Sequence, residues 1–139
     1  MGPHVAVITV PGFDTHALQG ADEGVHPRLL RELDTVFESF RLGLGETWSK
    51  TIILTVTEFG RTVEENGSAG TDHGTAAPQF LFGGKIRGGF YGEQSPLDDL
   101  DNENLKYRVH FREIYASIAR EWWGVQAGFI KEKPLGLFV

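Results

Sequence analysis

The chain has 139 residues, 40% of them hydrophobic and 23% charged, a length and balance that suit one globular domain and exclude a disordered chain. A formal net charge of -6 with 13 scattered basic residues argues against nucleic acid as a partner. No apolar run reaches the roughly 20 residues of a bilayer span, and with no cysteine any metal must be held by His, Asp and Glu.

In chain order, Val5-Ala6-Val7-Ile8-Thr9-Val10 is a continuous apolar run stopped by Pro11-Gly12, which predicts a strand covered on both faces. From Pro27, the residues Leu29, Leu30, Leu33, Val36, Phe37 and Phe40 recur at three- and four-residue spacing, which predicts an amphipathic helix ending near Gly43 and Gly45. Thr51 to Thr57 is β-branched and apolar, so strand, helix and strand read as a βαβ unit with a parallel pair. Residues 60–76 form a polar loop, and Pro78-Gln79-Phe80-Leu81-Phe82 is a third short strand ended by Gly83-Gly84.

Residues 84–104 show no clear period and read as a long surface excursion, whose Asp98-Asp99-Leu100-Asp101-Asn102-Glu103 is a solvated acidic loop without the sharp-turn glycine of a calcium loop. Phe111, Ile114, Tyr115, Ile118, Ala119 and Trp122 repeat with helical spacing up to Gly124, with His110 as a cap or packing residue. The tail Lys133 to Val139 reads as an extended segment packed on the domain. The expected class is α/β with parallel strands and flanking helices. Three strands and two helices make a thin sheet, so the chain is expected to be a portion of a longer protein or to complete its open sheet edge by forming a homo-oligomer.

The chemistry concentrates in three clusters at predicted strand ends: Gly12-Phe13-Asp14-Thr15-His16, Thr57-Glu58-Phe59-Gly60-Arg61 and Gly70-Thr71-Asp72-His73-Gly74. In a parallel α/β sheet such ends share one edge, where ligands bind. If the loops converge, Asp14, His16, Glu58, Asp72 and His73 supply oxygen and nitrogen donors suited to a divalent metal such as zinc or manganese. His73 is the stronger ligand candidate, with Asp72 binding or orienting it. Arg61 presents a planar fork that fits phosphate or sulfate oxygens. The structural alternatives are an Asx-turn at Asp14, a glycine-rich turn closed by Asp72, a surface ion pair between Glu58 and Arg61, and a solvated loop cation.

Gly-Phe-Asp-Thr-His at 12–16, Thr-Glu-Phe-Gly-Arg at 57–61, Gly-Thr-Asp-His-Gly-Thr-Ala at 70–76, Gly-Gly-Phe-Tyr-Gly at 88–92 and Pro-Leu-Gly-Leu at 134–137 together resemble the carboxyl-terminal part of the bacterial domain of unknown function 1501 family. That family is similar in turn to the alkaline phosphatase and sulfatase superfamily, which includes cofactor-independent phosphoglycerate mutases. The resemblance implies a partial alkaline-phosphatase-like sheet over residues 1–139. It sets Asp14 on the Asp of an Asp-x-x-x-His motif, Glu58 on the carboxylate of an Asp-His pair and His73 on a lone metal-binding His. Leu18 stands where the first motif has its His, and Phe59 where the pair has its own. The superfamily's nucleophile lies on an amino-terminal strand that is expected to be missing from this chain.

The function so implied is the carboxyl-terminal portion of a metal-dependent hydrolase acting on a small anionic phosphate or sulfate ester, inactive alone, with Asp14, Glu58 and His73 on the ion and Arg61 toward the anion. The rival is a non-catalytic ligand-binding or scaffold module of the same fold. Members of the resembling family usually carry an export signal. Met1-Gly2-Pro3-His4 lacks the basic-then-apolar start of one, and localisation stays open.

Overall fold

The computed structural model describes residues 4–139. The helical period starting near Pro27 becomes α1, Val25–Leu44, with Pro27 in the first turn where its missing N–H costs nothing. Gly45 closes α1 at φ +50°, and a 3-10 helix, Gly45–Lys50, leads into β1, Ile52–Leu54. The polar stretch after it holds β2, Gly60–Arg61, and β3, His73–Gly74. The predicted third strand is β4, Leu81–Gly83. The excursion contains a hairpin of β5, Leu100–Asp101, and β6, Asn104–Leu105.

The second helical pattern gives α2, Phe111–Ser117, which widens into a π turn over Ile118–Trp122 and stops at Gly124, φ +66°. Its start is a reciprocal cap: His110 Nδ1 accepts the Arg112 N–H at 3.2 Å, and the Glu113 carboxylate accepts the His110 N–H at 2.7 Å.

The parallel sheet of the alkaline-phosphatase kind is not what forms. The described residues hold three two-stranded sheets, all antiparallel: β1 with β4, β2 with β3, and β5 with β6. The expected strands at 51–57 and 78–82 do exist, but they pair with each other, Ile53 opposite Phe82. The pairing continues past β1, where the Thr55 N–H donates to the Phe80 carbonyl at 3.0 Å and the Phe80 N–H donates to Thr55 Oγ1 at 2.8 Å. Apolar runs announce strands without naming a partner or a direction, and the pairing decides both.

The predicted first strand at 5–10 takes no regular secondary structure and belongs to no sheet, and Val7 is 90% exposed. It lines an open groove of about 2660 Å³ whose other walls include α1 residues Leu33 and Phe37, the β1 residue Ile53, and Trp122. With neither face covered, pairing this run would still leave apolar side chains in water, and its strand composition alone does not supply a ladder.

Burial concentrates at the other end of the chain. Ala116, Ile118, Ala119 and Leu137 form the buried apolar centre. The tail packs there as expected: Ile86 bridges Phe138, the Arg87 N–H donates to the Leu137 carbonyl at 2.8 Å, and Trp122 stacks on Phe138 with centroids 5.4 Å apart. Buried Ser117 links α2 to this tail, donating to the Glu113 carbonyl and accepting the Leu135 N–H at 2.7 Å. Helix α1 has no fully buried residue, and Phe37 meets Phe82 of β4 at 4.4 Å between centroids. Among the described residues, no helix is long and apolar enough to cross a membrane.

Candidate metal centre

Two elements bring the polar clusters together. The β2–β3 ladder sets Arg61 opposite His73, and a second seam joins the 13–19 segment to the 66–71 loop. In that seam the Leu18 and Gln19 N–H groups donate to the Ser68 and Ala69 carbonyls at 3.0 and 2.9 Å, while Thr71 Oγ1 donates to Gln19 Oε1 at 2.7 Å. Glycine permits the close approach. A Cβ on Gly70 would stand 2.3 Å from the His16 carbonyl carbon, and one on Gly74 would stand 2.6 Å from that of Arg61.

The seam delivers three donor atoms to one place. Asp14 Oδ1 lies 3.0 Å from His16 Nε2 and 2.8 Å from His73 Nε2, and the two Nε2 atoms are 3.1 Å apart. The three side chains are about half exposed and open to solvent. Asp14, His16 and His73 are the group of the described residues that could hold a metal ion.

Each donor is set by its neighbours. His16 Nδ1 is 3.0 Å from Asp72 Oδ1. The Asp72 carboxylate holds the ring through Nδ1, while Nε2 faces Asp14 and His73. Asp72 therefore orients His16, where the sequence pointed to His73. Phe59 lies flat on the His73 ring, centroids 3.8 Å apart and 6° from parallel, with the Arg61 guanidinium 5.1 Å from the Phe59 centroid. Hydrogen bonding from His73 holds Asp14 below its ordinary carboxylate value, aided by the charges of His16, His73 and Arg61. Bonds from Asn66 and then His16 do the same for Asp72. Both carboxylates are thus ionised and ready to accept.

Arg61 is turned inward. Its Nη1 donates to the Thr71 carbonyl and its Nη2 to the Phe13 carbonyl, each at 2.6 Å, with longer contacts to Asp14 Oδ1 at 3.5 Å and Thr15 Oγ1 at 3.4 Å. In this arrangement it clamps the two loops that carry the donors. Glu58 is exposed on the turn before β2 and adds no donor to the trio.

Two contributors carry no ligand signal in the sequence. Asn66 Nδ2 donates to the His16 carbonyl at 3.0 Å and to Asp72 Oδ1 at 3.1 Å, while its Oδ1 accepts the Ser68 and Gly70 N–H groups at 2.9 and 3.1 Å. The Asn66-Gly67 dipeptide is a turn signal that could have marked it. Phe59 has no ligand chemistry, and its stacking is a property of three-dimensional placement.

Together these features define a mixed α/β protein with an exposed Asp/His/His cluster built between two loops. A family model described as "Protein of unknown function (DUF1501)" matches residues 1–124, and the chain belongs to that family. Comparison with curated proteins and with solved structures gave no match.

Proposed function

We propose that Asp14, His16 and His73 hold a divalent metal, zinc or manganese, in the service of hydrolysis of a small phosphate or sulfate ester. The observation that carries this reading is the convergence of one carboxylate oxygen and two imidazole nitrogens within 3.1 Å of one another. The donor chemistry fits. One negative oxygen and two neutral nitrogens are a common ligand set for borderline divalent ions, and the second nitrogen of His16 is already bonded to a carboxylate.

A divalent ion at such a site polarises an ester oxygen and lowers the pKa of bound water. The chain's own residues do the preparing. Asp14 supplies charge, Asp72 fixes the His16 ring, Phe59 fixes the plane of His73, and Arg61 and Asn66 hold the two loops in register. In this reading Arg61 is a positioning residue whose own charge still lies near the anion. Glu58 reaches the ion only if the turn before β2 moves.

The second reading, a non-catalytic ligand-binding or scaffold module, is favoured by the apolar groove beside α1 and β1, which is a surface for binding more than for chemistry. The test loads the full-length protein with manganese or zinc, measures metal per chain, and assays 4-nitrophenyl phosphate and 4-nitrophenyl sulfate. Stoichiometric metal with turnover, both lost in His73→Ala, supports the hydrolase. Stoichiometric metal without turnover favours the binding module. Absence of stoichiometric metal removes the metal centre altogether.

A further inference from the structure

Asn66 ties the 66–71 loop to the 13–19 segment, and it is also the first half of an Asn-Gly dipeptide. In that pair the side-chain amide is most open to attack by the next backbone nitrogen, because glycine has no Cβ to hinder the approach. The fold leaves the attacking nitrogen free. Gly67 is exposed on a turn, and among the described residues its N–H donates no hydrogen bond. Nothing lies within 4 Å of where its Cβ would stand, and its φ is outside the left-handed region, so neither packing nor backbone requires glycine there.

The amide under attack is held and polarised. Asn66 Oδ1 accepts the Ser68 and Gly70 N–H groups at 2.9 and 3.1 Å, and two backbone donors on one carbonyl oxygen stabilise the negative charge it gains when a nucleophile adds to Cγ. Nδ2 is engaged elsewhere, donating to the His16 carbonyl at 3.0 Å and to Asp72 Oδ1 at 3.1 Å. A carbonyl and an ionised carboxylate only accept.

We infer that Asn66-Gly67 is a self-modification site, a latch on the seam that the loop's own chemistry opens. The Gly67 nitrogen bonds to Asn66 Cγ as the Cγ–Nδ2 bond breaks, and the Gly67 hydrogen passes through solvent to the departing group, which leaves as ammonia. Water then adds to the cyclic imide and opens it, giving aspartate or isoaspartate at position 66. In the aspartate product an oxygen replaces the donor nitrogen opposite the His16 carbonyl and the Asp72 carboxylate, so two attractions become repulsions. In the isoaspartate product the backbone is one carbon longer, which displaces the turn whose Ser68 and Ala69 carbonyls accept the Leu18 and Gln19 N–H groups. Either product unfastens the seam.

The test ages the full chain in mildly alkaline buffer and follows it by peptide mass spectrometry and by amide exchange at Leu18 and Gln19. The peptide holding position 66 is expected to gain the mass of an NH2-to-OH exchange at least as fast in the folded chain as in denaturant. Gly67→Ala, folding as the parent does, is expected to slow that gain about tenfold or more. In the modified fraction, exchange at Leu18 and Gln19 is expected to quicken about tenfold or more. An amide that persists in the folded chain while the denatured chain loses it would overturn the inference, and so would an unchanged rate in Gly67→Ala. Modification without faster exchange at Leu18 and Gln19 would overturn the latch. Asn66→Asp, with circular dichroism showing the helices intact, is expected to reproduce the faster exchange from the outset, and parental protection in that variant would overturn the latch as well.

Discussion

At the scale of single residues, the site depends on groups that never touch an ion. Asp72 holds His16 through Nδ1 at 3.0 Å, and loss of such a carboxylate partner costs about 10–100-fold in metal affinity. Asp72→Ala is therefore expected to raise the manganese dissociation constant by that order in a calorimetric titration, and an unchanged constant would remove Asp72 from the site. Phe59, flat against His73, contributes on the order of 0.5–1.5 kcal/mol of aromatic contact. Phe59→Ala should then weaken binding about two- to tenfold. The sequence displays some of these residues and hides others for a physical reason. Asp14, His16, Asp72 and His73 stand beside glycines at the ends of apolar runs, and that is a local pattern. Asn66 reaches His16 and Phe59 reaches His73 across 50 and 14 positions, and no local pattern carries such a pairing.

At the scale of elements, helices are legible in the sequence and sheet partners are not. A 3.6-residue period is a property of one segment, so α1 and α2 fall close to where Leu29 through Phe40 and Phe111 through Trp122 place them. A strand is half of an interaction. Residues 51–57 and 78–82 read as strands, yet nothing in either run states that they pair with each other and antiparallel. The seam between the 13–19 and 66–71 segments has its own test in Gly70, where an added Cβ would lie 2.3–2.4 Å from the His16 backbone. Gly70→Ala is expected to force the loops apart, destabilise the chain by about 1–3 kcal/mol and abolish metal uptake, measured by thermal melting and titration together.

The β5–β6 hairpin offers a pH test. Lys106 and Arg108 bond the Asp99 carboxylate and hold it below its ordinary value of 3.8. A carboxylate depressed on folding stabilises the folded form above its unfolded value and loses that contribution as pH falls through the folded one. Amide exchange of residues 99–108 should accelerate specifically below about pH 3.8, and Asp99→Asn should remove that dependence. Because the Asp99 side chain is only partly buried, 43% exposed, the effect is local and small.

At the scale of the whole molecule, the chain exposes more than a finished globule does. Its accessible surface is 10067 Å², against about 7,200 Å² for a compact monomer of this mass. Exposed apolar side chains include Val7 and Ile8 of the 5–10 segment and Leu30, Val36 and Phe40 of α1, with Phe90 and Phe129 elsewhere. An area of this order is what obligate interfaces cover, and the expectation that a second copy of the chain covers it is open to direct test. Sedimentation at micromolar concentration should show a dimer or larger species, with Val7→Asp and Ile8→Asp shifting it to monomer. A monomer that binds no apolar dye would contradict this.

Asp14, His16 and His73 have to act as one ligand set for any of this chemistry to exist. The most direct measurement is an isothermal titration of the chain with manganese, in parallel with His16→Ala and His73→Ala. One site per chain in the parent protein, lost in each variant while the fold persists, is the predicted result. Binding that is absent from the parent, or that survives both substitutions, would contradict it.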